Sequence, residues 1–309
     1  MSDDRRTGFA VVTLPFIVFT TIWGTTWIVI RDQLGDVPAQ WSITYRFLIA
    51  AAAMAALTRW KGQSLRLGRD GLLAAAVLGF LQFVINFNAV YMAEHHITSG
   101  LVATVFALLL IPNSLLGWAF LGQRPSARFA WGSLCAVAGI GLLFVHELRE
   151  HPAQNGAILV GIGLTLAGMI GASAANVYQA HDQVRRFSLF ALLTWAMLLG
   201  ALMDGAIALA VAGPPTVEAR LGYWLGLVYL ALFASALAFS LYLPVVRKIG
   251  PGKAAYSSVL VPIIAMGFST ALEGYRWTFL AAAGAVLALG GMLGALSRSR
   301  SLVTGPDAA

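Results

Sequence analysis

The sequence predicts an all-α integral membrane protein of ten transmembrane helices, built as two five-helix halves of opposite orientation. Three observations carry that prediction: long apolar runs without a charged residue, a one-sided distribution of Lys and Arg, and a pattern that repeats after half the chain. Of 309 residues, 59% are hydrophobic and 11% charged. A soluble chain of this size carries about 25% charged residues, so too little polar side chain is present to face water all round.

Residues 7–30, 71–93, 95–123, 151–181, 221–246 and 277–297 contain no Lys, Arg, Asp or Glu, and each can hold the roughly 20 apolar residues that cross a hydrocarbon core. Spans are predicted at 10–30, 38–58, 71–92, 98–120, 128–145, 156–178, 188–212, 221–243, 253–272 and 277–296. Turn signals separate them: Gly35-Asp36-Val37-Pro38, Gly122-Gln123-Arg124-Pro125, Gly213-Pro214-Pro215 and Gly250-Pro251-Gly252. No connector is long enough for a soluble domain. The first run exceeds a signal-peptide core and is expected to be a retained span. Cys135, the single cysteine, reads as a small buried hydrophobe.

With the N-terminus in the cytoplasm, the inner segments hold 15 basic residues: Arg5, Arg6, Arg59, Lys61, Arg66, Arg69, Arg124, Arg128, Arg185, Arg186, Arg247, Lys248, Lys253, Arg298 and Arg300. The outer connectors hold 4, namely Arg31, Arg149, Arg220 and Arg276, and Arg46 lies within a span. Short basic loops stay inside, so both termini are expected in the cytoplasm of a multi-pass, bacterial-type inner membrane protein. The net charge of +7 is then a topology signal with some attraction to anionic headgroups. No nucleic-acid partner is expected.

The stretch from Tyr91 through Pro112 to Gly139 resembles that from Tyr242 through Pro262 to Gly291. The halves are placed at 1–150 and 151–309 within one membrane domain. Five spans is an odd number, so the second half must insert upside down, a construction typical of secondary transporters.

Trp23-Gly24-Thr25-Thr26-Trp27, Arg46-Phe47, and the Pro112 and Pro262 spans followed by glycine-rich spans resemble the drug/metabolite transporter superfamily and its EamA-type members, most closely the YddG-type exporters of aromatic and other amino acids. The resemblance covers nearly the whole chain. It implies two inverted five-helix repeats around a central cavity, lined by the first, third, fourth, sixth, eighth and ninth spans. The family often has Gly-Glu at the ends of the fourth and ninth spans. Here the fourth ends Gly122-Gln123, while Glu273 stands near the end of the ninth.

Several residue types can carry function. Pro112 and Pro262 deprive the Leu108 and Ser258 carbonyls of helical partners, which points to bends used in gating. Gln82 and Asn86 share one face of the third span and Asn176 and Gln179 one face of the sixth. Ser235, Phe239 and Tyr242 form a stripe on the eighth, and Asn113 sits beside Pro112 in the fourth. Amides are costly in lipid and are expected to face the interior, as substrate contacts or helix-to-helix bonds. Trp23, Trp27, Tyr178, Phe239, Tyr242 and Tyr256 offer rings for apolar side chains or an ammonium group, or for an aromatic belt at the headgroups. Arg46 and Asp204, in equivalent spans, read first as a structural ion pair or as an Asp204 that reaches interfacial water, and second as a coupling site or gate. Glu94-His95-His96 marks the outer end of the third span and reads as solvated there, with no metal site evident, and His146, His151 and His181 are placed in connectors.

No P-loop, zinc motif or nucleophile elbow is present, so no cofactor is expected. The expected function is a secondary transporter exporting small metabolites, foremost amino acids including aromatic ones, by alternating access. Few acids line the middle of the spans, so a low-affinity, broad-specificity facilitator working as a monomer is expected. Drug-like cations, nucleosides or purines are the alternative cargo. An intramembrane enzyme would need a nucleophile beside a base, which no span contains.

Overall fold

A computed structural model describes residues 12–122, 124–150, 152–249 and 257–296. Tyr256 and the Gly250-Pro251-Gly252 turn lie outside these residues. The chain forms α1 (Leu14–Asp32), α2 (Ala39–Trp60), α3 (Gly68–Glu94), α4 (Ser99–Leu121), α5 (Ala127–Glu150), α6 (Asn155–Ala180) and α7 (Leu189–Val211). It continues with α8, from Leu221 to Ile249, then α9 (Ser257–Leu272) and α10 (Phe279–Leu296). Eight of the ten are long and apolar enough to span a membrane, and α9 and α10 are shorter apolar helices. All are α-helical because a bilayer offers the backbone no water, and each helix satisfies its own carbonyls. Large apolar side chains such as Trp131, Phe279 and Val286 point outward, as a lipid-facing surface requires.

The packing obeys the exchange of one half for the other. Helix α3 packs on α6 as α8 packs on α1, and α3 on α7 as α8 on α2. Helix α4 packs on α6 as α9 packs on α1, while α2 with α7, α4 with α9 and α5 with α10 pair with their own counterparts. The backbone irregularities repeat too. Helix α3 is π-helical over Phe80–Asn86 and α8 over Leu230–Leu237, at equivalent positions. Such one-turn bulges gather at functional sites.

Helices α5 and α10 approach closest. A Cβ on Gly139 would lie 2.3 Å from the Ala288 nitrogen, and one on Gly291 2.4 Å from the Ala136 nitrogen. Gly132 and Gly284 meet backbone of the facing helix in the same way. Without a hydrophobic force between helices in lipid, small residues that let backbones touch supply the attraction.

Three sequence expectations are corrected here. Helix α5 runs on to Glu150, so His146 is a buried helical residue that shares a 2.9 Å hydrogen bond with Thr278 Oγ1, not a connector residue. Glu94, at the end of α3 as expected, is fully buried rather than solvated. Cys135 is exposed on the lipid-facing side of α5.

Candidate functional site

A cavity of about 230 Å³ lies at the centre of the bundle, where the two halves meet. Its wall draws on α1 (Trp23, Thr26, Trp27), α2 (Arg46), α3 (Gln82, Asn86, Phe87), α4 (Phe106, Asn113), α6 (Asn176), α8 (Phe239, Tyr242) and α9 (Val261, Pro262). Most of these elements are irregular where they meet it. The π-helical turns of α3 and α8 re-aim Gln82, Asn86 and Ala234 toward the centre. In α4 a 3₁₀ turn at Ala107–Leu109 precedes a restarted helix, with Pro112 in its first turn. A first turn needs no proline N–H, so the kink lies at Leu108 and Leu109.

The aromatic side of the wall is a fixed cluster. The Trp23 indole N–H donates to the Ala234 carbonyl at 3.2 Å, within the π-helical turn of α8. The Trp23 ring lies 5.0 Å from Tyr242 and 5.6 Å from Phe239, and Trp27 lies 5.5 Å from Phe106. These are contacts that lock ring positions. On the polar side, Gln179 Nε2 donates to Asn176 Oδ1 at 3.1 Å, and Asn176 Nδ2 donates to Asn113 Oδ1 at 3.4 Å. Asn86 is buried, and its Oδ1 has no partner in the protein.

Arg46 also reaches this wall. Its Nε donates to Ser235 Oγ at 3.3 Å and its Nη1 to Tyr91 Oη at 3.5 Å. The guanidinium lies 4.6 Å from the centre of the Phe87 ring.

Of the residues singled out in the sequence, Trp23, Trp27, Gln82, Asn86, Asn113, Asn176, Phe239, Tyr242, Pro262 and Arg46 border the cavity. Gln179 acts through Asn176. Ser235 is buried behind the wall, donating to the Leu230 carbonyl and receiving Arg46. Tyr178 packs against the core outside the cavity, and Pro112 is half-buried and also outside it. Arg46 and Asp204 do not pair. Asp204 is fully buried and accepts from Asn88 Nδ2 at 2.6 Å, out of reach of interfacial water.

At one end of the bundle, a turn beyond the cavity-lining Ala103, stands a carboxylate clasp absent from the sequence expectations. Glu273, just past α9, receives the Ser99 N–H at 3.1 Å and the Ser99 hydroxyl at 2.6 Å. The Ser269 hydroxyl donates to it as well, and Arg31 lies 3.7 Å away. Gly100 permits the approach, since a Cβ there would sit 2.7 Å from Ser269 Cβ. At the same end Arg220 joins α8 to α1, contacting Asp32 Oδ1 at 2.8 Å and Glu218 Oε1 at 2.6 Å. Its hydrogen bonds to Asp32 and then to Glu218 raise its pKa. A signal for the clasp existed in the Ser99-Gly100 helix start and in the lone Glu273, but their pairing is tertiary.

Residues 11–145 and 159–297 each match the EamA-like transporter family. The chain is 30% identical over 263 residues to the uncharacterized inner membrane transporter YedA of Escherichia coli K12, covering 82% of this chain and 80% of that protein. It is 24% identical over 286 residues to a probable amino-acid metabolite efflux pump of the same organism, covering 89% and 91%. A solved crystal structure superposes with a TM-score of 0.67 at 20% identity, over 92% of this chain and 96% of that one, and so shares the fold.

Proposed function

We propose, from the premise that this chain belongs to the EamA-like transporter family, that it exports amino acids, aromatic ones among them, across the inner membrane. The observation that carries the reading is the central cavity, where the rings of Trp23, Trp27, Phe106, Phe239 and Tyr242 face the amides of Gln82, Asn86, Asn113 and Asn176. Apolar walls with a few converging polar groups are the usual build of a small-molecule site. At about 230 Å³ the cavity falls below the range of about 300–1,000 Å³ typical of drug-sized ligands, which favours a small metabolite over a drug-like cation. The likeness to a probable amino-acid metabolite efflux pump supports the same class.

The mechanism is alternating access. The Glu273 clasp seals one end, and bending at the α3 and α8 bulges and at the two prolines opens one end while the other closes. Most of the wall is uncharged, so affinity is low and selectivity broad, and the protein works as a monomeric facilitator with both termini in the cytoplasm. Counterflow in sealed liposomes tests this. Preloaded unlabelled amino acids accelerate uptake of a labelled one, with or without a pH gradient. Exchange of a nucleoside or organic cation, with none of any amino acid, overturns the substrate assignment.

A further inference from the structure

Arg46 is 1% exposed and lies on the cavity wall. A guanidinium stays charged at any physiological pH and offers five donors in a rigid fork. The protein answers that fork with two long hydrogen bonds, both to neutral hydroxyls, and with the faces of Phe87 and Phe47. Among the described residues no carboxylate stands at salt-bridge distance from it. Asp204 is engaged with Asn88, and Glu273 with Ser99, Ser269 and Arg31. Glu94 acts on Arg46 only at longer range. A buried cation with no carboxylate at salt-bridge distance carries a desolvation cost of several kcal/mol, which a carboxylate entering the cavity would offset through a bidentate, charge-assisted contact.

Among the groups that line the cavity Arg46 is thus an under-used cationic donor, and it matches the carboxylate end of an α-amino acid zwitterion. We infer that Arg46 binds the substrate carboxylate. This deepens the amino-acid reading and rests on it. It makes the carboxylate the obligatory group, and it turns away amines and nucleosides that lack one.

The test uses purified wild-type protein with four probes of one shape: phenylalanine, phenylalaninamide, phenethylamine and 3-phenylpropionate. Binding is read as a ligand-induced rise in Tm, and transport as counterflow. Phenylalanine is expected to bind best and 3-phenylpropionate to retain part of the affinity. Phenylalaninamide and phenethylamine fall at least about tenfold below phenylalanine, the scale of losing a hydrogen bond to a charged group. Arg46→Gln erases the preference for carboxylates, and Arg46→Lys keeps part of it. Equal binding of phenethylamine and phenylalanine by the wild type, which needs no variant to fold, overturns the assignment. So does an Arg46→Gln protein that keeps the carboxylate preference, or a panel in which no carboxylate binds. If 3-phenylpropionate binds through Arg46 while no amino acid exchanges, the export reading fails and the Arg46 site stands. If amino acids exchange indifferently to Arg46→Gln, the reverse holds.

Discussion

Ser99 and Glu273 are joined twice, by the Ser99 backbone N–H to Oε1 at 3.1 Å and by its hydroxyl to Oε2 at 2.6 Å. Ser99 opens α4, so the carboxylate caps a helix whose first N–H groups lack internal partners and whose dipole favours an anion there. The contact links α4 to α9, the pair that exchanges under the internal symmetry.

Breaking this clasp should open the cavity toward that end of the bundle. Glu273→Ala removes the acceptor for Ser99 and Ser269, while Glu273→Gln keeps part of the hydrogen bonding and loses the charge. Thr26 lines the cavity and provides a reporter as Thr26→Cys with the native cysteine changed to Ser. Labelling by an impermeant maleimide from the Glu273 side is expected to speed up several-fold in Glu273→Ala and less in Glu273→Gln. Equal rates in all three proteins would show that the clasp does not gate the cavity.

Charge-free runs and the Lys and Arg asymmetry made the ten spans legible, because both follow directly from hydrocarbon thickness and the cost of burying charge. Pro112 and Pro262, 150 residues apart, disclosed the repeat. The side-chain pairings were harder to read. Arg46 and Asp204 sit in equivalent helices, which suggested an ion pair, yet Arg46 turns to Tyr91 and Ser235 and Asp204 to Asn88. A helix apolar on every side carries no period from which to read the face of its one charged residue. The π-helical turns rotate α3 and α8 within a span and leave no sequence signal. Glu94 followed an uninterrupted apolar run and preceded two histidines, so its burial at the end of α3 could not be told from solvation there.

The amide chain from Gln179 through Asn176 to Asn113 should matter for transport more than for folding. Asn176→Leu removes the central member and leaves Gln179 and Asn113 unsupported. One to two neutral hydrogen bonds at about 1 kcal/mol each correspond to a loss of roughly 5- to 30-fold in counterflow rate at low substrate. Gln179→Leu, outside the cavity, should cost less. If Gln179→Leu is the more harmful of the two in transport at equal Tm, the cavity is misplaced.

Close packing of α5 on α10 predicts a stability effect far from the site. Gly139→Ala and Gly291→Ala each place a methyl group within 2.4 Å of facing backbone nitrogen, where overpacking costs about 1–3 kcal/mol. Gly141→Ala, with nothing within 4 Å of its Cβ, is the matched control. Tm in detergent should fall for the first two and hold for the third, with the counterflow KM unchanged in whatever protein remains folded.

Asp204 invites a coupling role that its contacts do not favour. It is fully buried, its Oδ1 accepts from Asn88 at 2.6 Å, its Oδ2 has no partner, and it does not border the cavity. The Asn88 amide also donates to the Val84 carbonyl at 2.9 Å, where α3 is π-helical, so Asp204 holds α7 against the bulge that aims Gln82 and Asn86. Asn88→Ala leaves a buried acid with no donor and is expected to cost about 1–3 kcal/mol. Asp204→Asn keeps the shape, preserves an acceptor for Asn88 and removes a buried charge, and should be neutral or stabilising. A double-mutant cycle on Tm measures the coupling between the two positions. Counterflow of Asp204→Asn across pH gradients then separates the roles: unchanged exchange fits a structural clamp, whereas loss of a pH-gradient response at unchanged Tm would make Asp204 a proton site and end the facilitator reading.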